Sequence, residues 1–174
     1  MSGYDVKKFI DQGVHYFWNE SYGQIYPMLK SFVEEGLATV EKEEQEGKPD
    51  KNIYSVTEAG IEQLRQWLVS PPEDMPVRYE FLLKLYFGNH VGADVIISHL
   101  DDFKKDHEQK QAIFNDIEQH LMHVCTEHPE KIYSLMTVRF GIRECEMRLK
   151  WVDETKKQLL LHKENQGFTK KKGA

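Results

Sequence analysis

The chain has 174 residues, enough for one domain or two small ones. A chain of this length buries roughly 70% of its unfolded surface, so it needs no disulfide or metal to hold a fold. Its 23 Lys+Arg against 29 Asp+Glu give a net charge of −6, which excludes a strongly basic nucleic-acid coat protein and a polybasic membrane binder. With 40% hydrophobic and 11% aromatic residues it is too apolar for disorder, while 30% charged residues and a mean hydropathy of −0.63 suit a soluble, helix-rich protein.

Location follows from what the ends and the cysteines lack. Apolar stretches run only a few residues, far short of the ~20 a bilayer needs, so no membrane partner is expected. Met1-Ser2-Gly3-Tyr4-Asp5 has neither a basic nor an apolar leader region. Cys125 and Cys145 form no CxxC and are expected as reduced thiols in a cytoplasmic protein. Charge is unevenly spread: residues 1–60 hold 6 Lys and 11 Asp+Glu, whereas residues 91–174 hold 14 of each sign.

Taken in chain order, residues 1–13 read as a short helix with Tyr4, Val6, Phe9 and Ile10 on one face, Ser2 as N-cap and Gly13 as stop. Val14 to Asn19, with His15, Tyr16, Phe17 and Trp18, reads as a packed turn. A second helix starts at Ser21. Ile25, Met28, Leu29, Phe32 and Val33 make an amphipathic stripe, and Pro27 is tolerable only near the first turn, which places the regular helix from about Gly23 or Gln24 to Gly36. Leu37 to Lys42 alternates as a strand, Gln45 to Asp50 is a turn cluster, and Asn52 to Thr57 is a second strand, together a β-hairpin. Thr57 then caps a helix whose stripe of Ile61, Leu64, Trp67 and Leu68 is expected to be buried. Pro71, Pro72 and Pro76 mark a linker. Residues 77–90 are apolar on most sides and are expected to lie buried between layers. A long helix from about Gly92 to Glu127 and a last one from about Pro129 to Lys163 follow, and the lysine-rich tail reads as frayed.

The expected fold class is mainly α (α+β). Helix, helix, strand, turn, strand, helix within about 70 residues is the order of a winged helix-turn-helix, in which the second helix of the pair enters the DNA major groove and the hairpin reaches a flanking phosphate or the minor groove.

Particular segments go further than the order. Ser2-Gly3-Tyr4-Asp5, Gln24-Ile25-Tyr26-Pro27-Met28-Leu29, Glu34-Glu35-Gly36-Leu37, Glu46-Gly47-Lys48-Pro49-Asp50-Lys51 and Tyr54-Ser55-Val56-Thr57-Glu58-Ala59-Gly60 resemble the PadR family of bacterial transcriptional regulators. Arg78 to Leu85 is similar to the family's segment after the winged domain. The C-terminal helices, with Trp151, resemble the virulence-activator-type dimerisation region of longer members. The resemblance implies a winged DNA-binding domain over 1–72, lacking the apolar helix that members usually carry ahead of this first segment, a helical dimerisation domain over 77–165 and a flexible tail over 166–174. It implies a transcriptional regulator, most simply a repressor, that binds a palindromic operator on double-stranded DNA as a homodimer.

On that reading Ser21, Tyr22, Gln24, Tyr26 and Lys30 of the second helix, with Lys48 and Lys51 of the wing, are the expected DNA contacts. Gln can read adenine bidentately, and Tyr, Ser and Lys serve phosphates. Lys7 and Lys8 are weaker candidates from the first helix. So few cations give a single protomer modest affinity, and two copies on one palindrome raise it. His15, Tyr16 and Trp18 with Arg78 are a candidate effector pocket between the domains, of the kind in which some family members sense phenolic acids. Phe140, Met147 and Trp151 are candidates for the dimer interface.

Other chemistry finds no footing. His120 and His123 share a helix face, and His99, His107 and His128 lie near, yet no Cys or carboxylate completes a ligand set, so neither metal nor cofactor is expected. No Ser–His–Asp order, Gly-rich phosphate loop or HExxH is present, so no enzyme is expected. The alternative from another class is a dimeric helical interaction or small-molecule-sensing protein whose winged fold does not bind DNA; the acidic first third favours it.

Overall fold

The computed structural model describes residues 1–18, 20–43, 51–73 and 77–172. The chain divides into two compact units, Met1–Met75 and Pro76–Ala174.

The first unit opens with helix α1 (Gly3–Gly13) and helix α2 (Tyr22–Glu34). Pro27 stands inside α2 rather than at its first turn, because the helix already begins at Tyr22. With no N–H to give, Pro27 leaves the carbonyl four residues back without its helical donor. Beyond α2 the chain reverses at Gly36, whose φ of 73° only glycine adopts without strain. The Leu37 N–H reaches back to the Phe32 carbonyl at 2.8 Å and the Gly36 N–H to Val33 at 3.1 Å, which satisfies two open carbonyls of the helix end.

Strands β1 (Ala38–Glu43) and β2 (Lys51–Val56) pair antiparallel, with Ala38 opposite Val56 and Glu43 opposite Lys51. Met1 exchanges two backbone hydrogen bonds with Tyr54, both 2.8 Å, and so adds a one-residue bridge to β2. Thr57 joins three elements. Its N–H donates to the Leu37 carbonyl, its hydroxyl donates to Gly36 at 2.8 Å, and the same oxygen accepts the Gly60 N–H at the start of helix α3 (Glu58–Val69). The expected burial of the α3 stripe is not met. Leu64, Trp67 and Leu68 are exposed, Trp67 by 66%, and Ile61 is only partly covered. Helical spacing gathers apolar residues on one face but does not supply an element to cover it.

The second unit holds helix α4 (Glu80–Tyr86), a single 3-10 turn over Gly88–His90, helix α5 (Ala93–Val124), a second 3-10 turn over Pro129–Lys131 and helix α6 (Ile132–Lys172). Helices α5 and α6 pack along their length as the main contact of the unit. Ile96, Leu100 and Val152 form the buried centre, Leu100 and Val152 with no exposed surface, and Phe81, Leu85, Phe103, Trp151 and Leu159 pack around them. Among the described residues, four ion pairs link the two helices: Lys163 to Asp94 at 2.6 Å, Lys156 to Asp101, Lys104 to Asp153 at 2.6 Å and Arg139 to Glu118 at 2.7 Å.

Two further expectations change here. Residues 77–90 are not buried all round. Phe81 and Leu85 face the core, but Leu83 and Tyr86 are exposed, Tyr86 by 81%. A seven-residue helix on the flank of a two-helix hairpin has one side to bury. The helix α6 also continues to Lys172, through most of the segment expected as a flexible tail. Cys125 and Cys145 are both free thiols, and burial pushes the Cys145 thiol pKa up, assisted by Glu144.

Candidate nucleic-acid interface

Helices α1 and α2 begin with the same device. At α1 the Ser2 N–H and hydroxyl both donate to Asp5 Oδ2, at 2.9 and 2.7 Å, and the Asp5 N–H returns to Ser2 Oγ at 3.2 Å. At α2 the Ser21 N–H and hydroxyl both donate to Gln24 Oε1, at 3.0 and 2.8 Å. A serine N-cap answered by an acceptor three residues on satisfies backbone donors that a helix start leaves open. The hydrogen bonds from Ser2, backbone first and hydroxyl second, with Lys51 after them, hold the Asp5 carboxyl far below the usual carboxylate range.

A second brace is aromatic. The Tyr22 and Tyr26 rings stack with centroids 6.2 Å apart and planes 22° from parallel. The Tyr26 ring in turn lies against Gly3, where an added Cβ would come within 2.6 Å of the ring. Gly3 therefore has to be glycine for α1 and α2 to meet this closely. Ser21, Tyr22, Gln24 and Tyr26 are all exposed around the start of α2, so the structure brings these four expected residues together on one solvent-facing end.

The expected cations are more occupied than their sequence positions suggest. Lys51 lies 3.1 Å from Asp5 and ties β2 to α1. Lys30 faces Glu34 at 3.6 Å, one turn on. Lys7 pairs with Asp11. Lys48 lies outside the described residues. Lys8 of α1 and Lys42 of β1, by contrast, are exposed and carry no ion pair among the described residues. Lys42 was not singled out in the sequence, although its place in the β1 alternation puts a cation on the wing itself.

The remaining expected residues divide between the two units. His15, Tyr16 and Trp18 belong to the first unit. The His15 and Tyr16 rings lie 3.6 Å apart, His15 Nδ1 is buried with no hydrogen-bond partner, and Trp18 lines a groove between α1 and α2 with Val6, Ile10, Met28 and Phe32. Arg78 belongs to the second unit, where it lines a cavity of about 350 Å³ with Tyr79, Phe81, Phe103, Met147 and Trp151.

Arg148, which also lines that cavity, is the hub of a polar network. Its guanidinium donates to Tyr79 Oη at 2.9 Å and to Glu144 at 2.6 Å, and Nη1 meets His107 Nε2 at 3.2 Å. It also stands 5.0 Å from the Tyr79 ring centre. His107 is buried, with Nδ1 2.8 Å from the Phe103 carbonyl. Burial lowers the His107 pKa most, and the Arg148 and Lys110 charges lower it further, against the Phe103 carbonyl and Asp106.

On α6, Tyr133, Met136, Phe140 and Met147 are exposed, Phe140 by 70%. Tyr133, Phe140 and Met147 recur every seven residues, the spacing of a helix–helix seam. Trp151 is half-buried against Phe81, with ring centroids 5.9 Å apart, and so takes part in the chain's own core. Among the described residues no group of His, Cys, Asp and Glu could hold a metal ion, and no helix is long and apolar enough to cross a membrane.

Comparison with known proteins places this architecture. Residues 1–66 match the Transcriptional regulator PadR-like family, and residues 77–159 match the family described as Virulence activator alpha C-term. The Negative transcriptional regulator PadR of Bacillus subtilis is 32% identical over 119 residues, which span 68% of this chain and 64% of that protein. The fold is similar to that of Bacillus subtilis PadR solved in complex with operator DNA, with a TM-score of 0.76 at 23% identity over 91% of this chain and 89% of that one. It is similar also to the Vibrio cholerae virulence activator AphA, with a TM-score of 0.71 at 25% identity over 92% and 90% of the two chains. In a mostly helical chain, the segment with the two-stranded wing and the capped, exposed second helix thus matches the PadR-like family of transcriptional regulators, and the segment with the long helical hairpin matches the virulence activator C-terminal family.

Proposed function

We propose that the chain is a cytoplasmic homodimeric repressor that binds a palindromic operator, with α2 in the major groove and the β1–β2 hairpin on the flanking backbone. The observation that carries this reading is the exposed, doubly braced start of α2, where Ser21, Tyr22, Gln24 and Tyr26 converge. A rigid helix end with polar side chains and free backbone N–H groups suits a groove lined by base edges and phosphates. The Bacillus subtilis relative, named a negative regulator, supports repression, and the operator complex of a similar fold supports the docking mode.

Two copies are needed on electrostatic grounds. Among the described residues, Lys8 and Lys42 are the cations of the first unit left for phosphates, since Lys7, Lys30, Lys51 and Arg65 already face carboxylates. Each phosphate neutralised contributes a salt slope of about −0.9, so one protomer binds modestly and two on a palindrome bind well. The exposed seam of Tyr133, Phe140 and Met147 supplies the surface for the second copy. Half-sites then fall about 34–36 Å apart or a multiple of it. The cavity at Arg78, Phe103 and Trp151 gives an effector a place to bias the spacing of the two wings.

Binding of the full chain to duplex DNA from its own promoter region, followed by anisotropy at several salt concentrations, tests the proposal. Saturable binding that weakens steeply with salt and favours promoter over scrambled DNA is expected. Absence of any binding at low salt would overturn it and favour the second reading, a dimeric sensor that does not bind DNA. The observation on that side is the pairing of Lys30 and Lys51 within an acidic unit.

A further inference from the structure

The role expected for Gln24 conflicts with its geometry. A side-chain amide offers one oxygen acceptor and two N–H donors. Bidentate reading of adenine uses one of each, an N–H toward N7 and the oxygen toward the N6 amino group. In this chain the oxygen is engaged: Gln24 Oε1 accepts from both the N–H and the hydroxyl of Ser21. A backbone N–H only donates, so the amide must turn its oxygen, not its nitrogen, toward Ser21. An adenine-reading Gln24 would have to strip the cap from its own helix, a loss of about five-fold in the helix equilibrium.

Tyr22 lies beside the same turn and is differently placed. It is the first residue of α2, directly after the capped Ser21. Its ring is held by Tyr26, and that ring by Gly3. The Tyr22 hydroxyl has no hydrogen-bond partner among the described residues. A phenol held by a stack on one side and a capped turn on the other is pre-organised for one contact.

We infer that Gln24 is a positioning residue that reads no base and acts through Tyr22, whose hydroxyl makes the contact that separates operator from other DNA. This rests on the DNA-binding reading above. The Ser21–Gln24 box fixes the first turn, the first turn aims Tyr22, and the spare Gln24 N–H groups are left for a phosphate.

The test uses the full chain as wild type, Gln24→Ala, Gln24→Glu, Tyr22→Phe and the Gln24→Ala/Tyr22→Phe double variant. One readout is the ratio of affinities for promoter and scrambled duplexes. The other is amide hydrogen exchange at Ser21, Gln24 and Ile25 in the free protein. Gln24→Ala should speed exchange at these amides and lower the ratio about five-fold. Gln24→Glu keeps both acceptor bonds and should restore exchange and ratio together, because its added charge weakens both duplexes alike. Tyr22→Phe should lower the ratio with exchange unchanged, and the double variant should lower it no further than Tyr22→Phe alone. Restored protection with a ratio as poor as that of Gln24→Ala would show that Gln24 reads a base and overturn the inference. So would unchanged exchange in Gln24→Ala, or an unchanged ratio in Tyr22→Phe. Failure of the DNA-binding reading shows earlier and separately, as a wild-type protein that does not discriminate the two duplexes.

Discussion

His107 has both ring nitrogens committed. Nδ1 faces a carbonyl and must carry the proton, so Nε2 offers a lone pair to the Arg148 guanidinium. Protonation removes that acceptor and sets a second positive charge beside Arg148, with Lys110 near, against the Phe103 carbonyl and Asp106. Burial first, and these charges after it, hold its pKa in the fold below the ordinary 6.5. The stability this confers is fully present above 6.5 and is lost as pH falls through that value toward the folded one. The melting temperature of the chain should fall between pH 7.5 and pH 5. His107→Gln, which has no proton to gain, should flatten that part of the profile while costing about 1–3 kcal/mol at pH 7.5, read by denaturant titration. At Gly3 the conflict is steric. Gly3→Ala brings a methyl to 2.6 Å from the Tyr26 ring, so the ring or α1 must move. A loss of about 1–3 kcal/mol in stability and a weaker promoter affinity are expected, both restored in part by Tyr26→Ala.

At the scale of elements, the hairpin, the caps and the two long helices were legible because each is written locally. Ser2 and Thr57 are caps by their chemistry, Gly36 ends α2 by its positive φ, and the Ile53, Tyr54, Val56 run makes a strand whatever it packs on. What escaped was which surfaces find partners. The α3 stripe and the residues 77–90 are apolar enough to be buried, yet Trp67 and Tyr86 stand in solvent, because burial is decided by distant segments that spacing does not name. The site divides along the same line. The clustering of Ser21, Tyr22, Gln24 and Tyr26 was readable from one helix, whereas the capture of Lys51 by Asp5 depends on a contact between segments 46 residues apart. Packing between α5 and α6 is the opposite case, where contacts are long-range but the core is well filled. Leu100→Ala, at a fully buried position beside Ile96 and Val152, should cost about 2–5 kcal/mol and lower the melting temperature without changing the helix content of the folded state by circular dichroism.

For the whole molecule, the charge distribution and the exposed seam both support the proposed dimer. A first unit with few free cations gains affinity from doubling, and α6 offers apolar side chains every seven residues on which to double. Phe140→Asp with Met147→Asp should give a monomer in sedimentation velocity at micromolar concentration. Its far-UV spectrum should be unchanged, because both side chains are exposed in the protomer. The same variant should lose promoter binding by far more than its two added charges explain through salt dependence alone.

The four ion pairs between α5 and α6 share one arithmetic. From Asp94 to Asp101 to Lys104 to Glu118, each advance along α5 is matched by an equal retreat along α6, from Lys163 to Lys156 to Asp153 to Arg139. The pairs therefore act as the teeth of a single key some 24 residues long, about 36 Å of helix. Singly, exposed pairs of this kind contribute about 0–1 kcal/mol each. Collectively they admit one alignment, since sliding α6 by a helical turn disengages all four at once. Their consequence is less strength than gauge: the hairpin cannot creep, and any signal that crosses it must tilt or turn it as one rod.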